Sequence, residues 1–188
     1  MTAERRSEAD RPADEGAKAR TRALRYLQAR ERSPLEVRER LRRYGYEEDL
    51  VAEVTAWLEQ IGLLDQDRFA RALATARLNA GWSRRRILAE LAGKGVTSPE
   101  AEAAVGAATA GSMASNNGAG PVEGDPACDE GSEDALLVGL VRRRFGRQLV
   151  EDPEGGQRRA LAFLVRRGHD WERARRVIRA VSEVLPPG

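Results

Sequence analysis

Three short segments of this chain share one template: Leu41-Arg-Arg-Tyr-Gly45-Tyr46, Leu91-Ala-Gly-Lys-Gly95-Val96 and Leu164-Val-Arg-Arg-Gly168-His169. In each, a stretch with helical periodicity ends at a glycine placed where a left-handed residue closes a helix, and a new amphipathic stretch follows. The sixth, ninth and thirteenth residues onward from the glycine are Val51, Val54 and Leu58 in the first copy. They are Ala101, Ala104 and Ala108 in the second, and Ala174, Val177 and Val181 in the third. Those offsets mark one face of a helix. The first two glycines lie about 50 residues apart, and the third lies about 50 further on once Thr109 to Ser132 is set aside. A period of this size is the mark of a repeat architecture, in which each unit buries its apolar face against its neighbours.

Helix signals can be followed within each repeat. The first opens with a helix over Ala19–Arg30 and reaches Ser33-Pro34-Leu35-Glu36, a capping box with proline at the first helical position. A second helix runs from Pro34 to about Arg43 and a third from about Glu47 to Ile61. Asp65 caps a helix from Gln66 to about Asn79, Ser83 caps Arg84 to Ala92, and Thr97-Ser98-Pro99-Glu100 opens the next as a further capping box. The last repeat begins near Glu133, continues from Asp152-Pro153 and ends with the helix after Asp170. No stretch alternates as a strand does. The expected fold is all-α, an elongated tandem array of three three-helix repeats with nine helices. Its parts are a disordered tail (1–18), repeats at 19–63, 64–108 and 133–188, and a disordered acidic linker at 109–132. That linker carries Glu123, Asp125, Asp129 and Glu130 and no basic residue. Phe69, Leu73, Leu91, Phe163 and Leu164 are expected in the core.

The inventory for catalysis is thin. One cysteine, Cys128, excludes an internal disulfide or a cysteine-based zinc site. The lone histidine, His169, aligns with Tyr46 and Val96 after the repeat glycines and reads as a packing or capping residue. There is no P-loop, dinucleotide fingerprint or nucleophile elbow. Asp65 and Asp67 read as first-turn acids at a helix start. The expectation is a protein that is not an enzyme and takes no cofactor or metal. Lacking an apolar leader or a membrane-spanning run, it is expected in the cytoplasm.

What remains is binding. Charged residues make up 33% of the chain, yet the formal net charge is only +2, so both signs are interleaved over helix surfaces. Lys18 and Lys94 are the only lysines, so the basic residues are almost all arginine, whose planar fork of donors suits phosphate and carboxylate. Arg84-Arg85-Arg86 sits at a helix start, where the macrodipole disfavours positive charge. From Glu133 to Gly188 there are 12 basic and 8 acidic residues, a net +4, with runs at Arg142-Arg143-Arg144, Arg158-Arg159, Arg166-Arg167 and Arg173 to Arg179.

Several of these residues carry a resemblance to a known family. The string Ala23-Leu24-x-Tyr26-Leu27-x-x-Arg30-x-Arg32-Ser33-x-x-Glu36 is followed by Leu41-x-x-x-Gly45 and Gly62-Leu63-Leu64-Asp65-x-x-Arg68-Phe69-Ala70. It continues with Gly81-x-Ser83-x-x-x-Ile87-x-x-Glu90-Leu91-x-x-Lys94-Gly95 and, by pattern, Ala162-Phe163-Leu164-x-Arg166-Arg167-Gly168. Taken together, these residues resemble the bacterial RecX family, regulatory proteins that modulate the RecA recombinase. The resemblance implies an elongated monomer lying in the groove of a RecA filament on single-stranded DNA. It further implies inhibition of RecA's recombinase, ATPase and coprotease activities in recombination, DNA repair and the SOS response. The residues expected to touch RecA or DNA are Arg30, Arg32, Arg84, Arg85, Arg86, Arg142, Arg143, Arg144, Arg166 and Arg167. The long acidic linker departs from the family's pattern. Two other readings stay open at this point: a dimeric helix-turn-helix DNA-binding protein, and a helical scaffold for an acidic protein partner.

Overall fold

The computed structural model describes residues 3–117 and 129–185, and the side chains of residues 14–113 and 131–185. Nine helices and no strand occur among the described residues: α1 (Ala3–Leu27), α2 (Pro34–Arg43), α3 (Glu48–Gln60), α4 (Gln66–Asn79), α5 (Arg84–Ala92), α6 (Ser98–Asn117), α7 (Asp129–Glu151), α8 (Pro153–Arg166) and α9 (Trp171–Val184). Helix bounds differ from expectation at both ends of the low-hydrophobicity stretches. Helix α1 already begins at Ala3, within the stretch read as a disordered tail, and α6 continues past Thr109 to Asn117, into the stretch read as linker. Neither extension carries an apolar stripe, so helical periodicity does not mark it in the sequence. Helix α7 begins at Asp129, inside the last four residues of the expected linker, and residues 118–128 with Cys128 lie outside the described residues.

The helix starts follow their caps. Ser33 Oγ accepts from the Glu36 amide and Glu36 Oε2 accepts from the Ser33 amide, each at 3.2 Å, so the capping box closes in both directions. Asp65, Asp152 and Asp170 cap α4, α8 and α9 by accepting from the amides of Arg68 (2.8 Å), Gly155 (2.9 Å) and Arg173 (2.7 Å). Glu100 Oε2 accepts from the Thr97 amide at 3.1 Å. Gly45, Gly95 and Gly168 have φ of 84°, 80° and 92°, the left-handed closure the template requires.

Two compact units are formed, Met1–Ala70 with Lys94–Val96, and Arg71–Gly93 with Thr97–Gly188. In the first, α1, α2 and α3 enclose Ala19, Ala23, Val37, Leu41, Val51, Val54, Leu58 and Leu64. Burying each Val or Leu of this set contributes about 1.5–3 kcal/mol. At its rim the Glu36 carboxylate, 10% exposed, lies 2.8 Å from both Arg30 and Lys94 and 4.0 Å from Arg32. Burial works against its charge, but Lys94, the Ser33 amide and Arg30 outweigh it and hold Glu36 below the ordinary carboxylate range. In the second unit, α7, α8 and α9 pack on one another around Val141, Phe145, Phe163, Leu164, Val177 and Val181. The Phe145 and Phe163 rings stand 5.5 Å apart in a tilted pair. In α5 and α6 of this unit, Ile87, Leu91, Ala101, Ala104, Val105 and Ala108 are buried.

The residues at the sixth, ninth and thirteenth positions after each template glycine are buried in all three copies. Phe69, Leu91, Phe163 and Leu164 are also buried as expected, whereas Leu73 is half-buried and its neighbour Ala74 takes the inward position. The buried face of α4 thus runs through Phe69, Ala70 and Ala74.

Candidate basic interface

The second unit joins two loops that are far apart in sequence. After α4, Gly81 (φ 77°) reverses the chain and Ser83 caps α5, its Oγ 3.4 Å from the Arg86 amide. After α8, Gly168 reverses the chain toward α9. The Ser83 amide donates to the Arg167 carbonyl at 3.0 Å, and Arg86 Nη1 donates to the Arg166 carbonyl at 2.5 Å. His169 Nε2 sits 3.0 Å from the Gly81 carbonyl oxygen. A β-carbon on Gly168 would fall 2.8 Å from Ser83 Oγ, and one on Gly81 would fall 2.5 Å from a methyl carbon of Leu140. Close approach of the backbone therefore adds to left-handed φ as a reason for glycine at both places.

This docking gathers arginines around Trp82. The guanidinium of Arg86 lies 4.4 Å from the indole centroid, that of Arg77 4.7 Å and that of Arg167 5.8 Å. Arg167 also lies 5.0 Å from the Phe163 ring, and Arg144 lies 5.1 Å from the same ring. Arg77 is neutralised by a two-pronged pair with Glu90, at 2.7 and 2.6 Å. Arg86, Arg144, Arg166 and Arg167 form no ion pair with a described carboxylate. Burial, then the charges of Arg144, Arg86, Arg77 and Arg166, hold Arg167 below the ordinary arginine range. Mutual repulsion among unpaired guanidiniums is unfavourable, and an anion bound among them relieves it. The aromatic rings spread the guanidinium planes with their donor edges available to a phosphate or carboxylate.

The ten expected contact residues fall into three groups. Arg86, Arg144, Arg166 and Arg167 are brought together. Arg85, Arg142 and Arg143 are exposed but make no contact with Trp82 or Phe163. Arg84, Arg30 and Arg32 are engaged internally: Arg84 pairs with Glu102, Arg30 with Glu36, and Arg32 lies 4.2 Å from the Tyr26 ring at 15% side-chain exposure. The run Arg84-Arg85-Arg86 therefore does not act as one cluster. Trp82 and Arg77 were not among the expected residues. Their signal was present in the glycine-tryptophan pair that ends α4, but its meaning depends on which loop it meets.

His169 is 6% exposed, and burial is the main reason its proton affinity falls below the ordinary 6.5. Its Nε2 is committed to the Gly81 carbonyl, which makes it a tie between loops. Among the described residues no group of three or more His, Cys, Asp or Glu is placed to hold a metal ion, and no helix is long and apolar enough to cross a membrane.

Three-helix units closed by left-handed glycines, with a cluster of arginines on aromatic rings of which only Arg77 is paired with a carboxylate, define a tandem helical-repeat protein with a cationic face. Comparison with known families is specific. Residues 19–58 match the model "RecX, first three-helix domain" and residues 65–105 match "RecX, second three-helix domain". Regulatory protein RecX of Mycolicibacterium vanbaalenii is 32% identical over 181 residues, covering 93% of this chain and 88% of that protein. Regulatory protein RecX of Mycobacterium ulcerans is 36% identical over 153 residues, covering 80% of this chain and 77% of the relative. The crystal structure of RecX from Lactobacillus salivarius superposes with a TM-score of 0.61 at 19% identity, over 92% of this chain and 99% of that one, a likeness of fold. The chain belongs to the RecX family of regulatory proteins.

Proposed function

We propose that this chain is a non-enzymatic regulator that binds RecA, or the RecA filament on single-stranded DNA, and lowers its recombinase, ATPase and coprotease activities. It acts in the cytoplasm as a monomer with three repeats at 19–63, 64–108 and 133–188. Family membership supports the partner. The observation that carries the site is the set of three arginines, Arg86, Arg144 and Arg167, held on aromatic rings without carboxylate partners, with Arg166 beside them. Such a surface suits acidic side chains of a filament or the phosphates within it. Arg85, Arg142 and Arg143 extend the positive field from exposed positions. Arg30, Arg32 and Arg84 contribute only by exchanging their present partners for the filament's.

The test is the ATPase rate of RecA on single-stranded DNA as the protein is added. Inhibition is expected well below one molecule per RecA protomer. It should weaken about tenfold or more in the variant R86Q/R144Q/R167Q, the loss of about 1.4 kcal/mol or more of binding. An unchanged ATPase rate with folded protein overturns the proposal.

A further inference from the structure

A second surface lies apart from the Trp82 cluster, in the groove between α8 and α9. Its walls carry Arg158 from α8 and Arg175 and Arg179 from α9, and its floor carries Leu161 and Ile178. At one end stands Trp171, 56% exposed. Trp171, Arg175 and Arg179 follow one another at single-turn spacing, so one helix face presents an indole and two guanidiniums over about 12 Å. All three groove arginines are exposed and form no ion pair with a described carboxylate, in contrast to their neighbours Arg159, Arg173 and Arg176, which do. Glu154 is the one acidic residue lining the groove.

A tryptophan left 56% exposed costs hydration free energy, and unpaired arginines beside it add repulsion. We infer that this groove is a stacking site for single-stranded nucleic acid, with a base on the Trp171 indole and backbone phosphates on Arg158, Arg175 and Arg179. Base stacking on an aromatic platform beside a cationic track is the general physics of sequence-tolerant strand binding. An amphipathic acidic helix is the other occupant that fits the charge, but it needs three apolar anchors along the groove. Ile178 is 5% exposed and already spent in the core, which leaves Trp171 and Leu161. The groove goes beyond the regulation proposed above, since it takes free strand without RecA.

The experiment uses the full chain and a labelled oligo-dT, with no RecA present, so its failure leaves the proposed regulation standing. Fluorescence anisotropy gives affinity as a function of salt, and tryptophan emission reports stacking. Trp171→Ala should weaken binding about tenfold and abolish most of the quenching, a loss within the range of one stacked base. Trp171→Phe keeps an aromatic face, so binding should stay within about threefold while most of the quenching is lost. R158Q/R175Q/R179Q should flatten the salt dependence by about 2 in log–log slope, the share of three single-strand phosphate contacts. Because these residues are exposed, circular dichroism should show every variant helical. Binding of Trp171→Ala equal to that of the unmodified chain overturns the inference. So does equal quenching of Trp171 by polyglutamate, which would assign the groove to an acidic protein segment.

Discussion

His169 Nε2 lies 3.0 Å from the carbonyl oxygen of Gly81, 88 residues earlier in the chain. The contact ties together two loops that each close a helix with a left-handed glycine, and it fixes where Arg86, Arg166 and Arg167 stand. The imidazole serves as the donor here, which requires Nε2 to carry its proton. Nδ1 is buried without a described partner, so a second proton there would be a buried charge near Arg173.

Stability should therefore depend on His169 in acid. Unfolded, the side chain takes up a proton near 6.5, whereas folded it resists protonation because it is buried. The unfolded state then binds more protons, and the stability His169 contributes is present above pH 6.5 and lost as pH falls below it. Urea denaturation should give a lower midpoint at pH 5.5 than at pH 7.5. His169→Ala should be about 1–3 kcal/mol less stable at neutral pH, from the lost bond and the stranded Gly81 carbonyl, with a flatter pH dependence.

The left-handed glycines should respond differently to alanine. Around Gly45 nothing lies within 4 Å of an added β-carbon, so Gly45→Ala should cost only the backbone term, about 1 kcal/mol. Gly168→Ala adds a clash with Ser83 Oγ and should cost about 2–4 kcal/mol, with loosening of the loop pairing. Thermal unfolding of both variants checks this, and equal losses would show that the close approach at Gly168 is relieved at no cost.

Glu36 should act as a stabilising hub of the first unit. Glu36→Gln removes the charge that faces Arg30 and Lys94 and weakens the reciprocal cap, at a cost of about 1–2 kcal/mol. Because its carboxyl is held below the ordinary 4.5, its contribution is present above that pH and is lost as pH falls through the lowered folded value. Acid unfolding of Glu36→Gln should accordingly begin from a lower plateau and show a smaller drop below pH 4.5.

Arg167 should show opposite effects on folding and binding. Removing a half-buried guanidinium surrounded by Arg144, Arg86, Arg77 and Arg166 relieves repulsion, so Arg167→Gln should unfold at the same temperature as the unmodified chain or higher. The same change should reduce retention on a polyanion resin and weaken inhibition of RecA. A clear fall in unfolding temperature would mean that stacking on Phe163 outweighs the repulsion.

The local parts of this structure were legible along the chain. Caps at Ser33, Asp65, Ser83, Asp152 and Asp170 depend on a side chain reaching an amide three residues on, a distance set by helix geometry alone. Left-handed closures at Gly45, Gly95 and Gly168 likewise need only glycine and the end of an apolar stripe. The buried positions after each glycine follow from the same 3.6-residue period. Helix α1 before Ala19 was hidden for the converse reason, since that stretch has no apolar stripe to read.

Tertiary structure decided which arginines belong together. Consecutive residues on a helix point about 100° apart, so the run Arg84-Arg85-Arg86 fans out: Arg84 turns to Glu102 and Arg86 turns to Trp82 and the end of α8. The cluster that does form takes Arg86 and Arg144 from two helices and Trp82 and Arg167 from two loops, and it exists because Ser83, Gly168 and His169 lock those loops together. A sequence records how many arginines there are and which face of its own helix each occupies. Whether a carboxylate waits opposite, as Glu36 does for Lys94, or an aromatic ring, as Trp82 does for Arg167, is fixed only when distant segments pack.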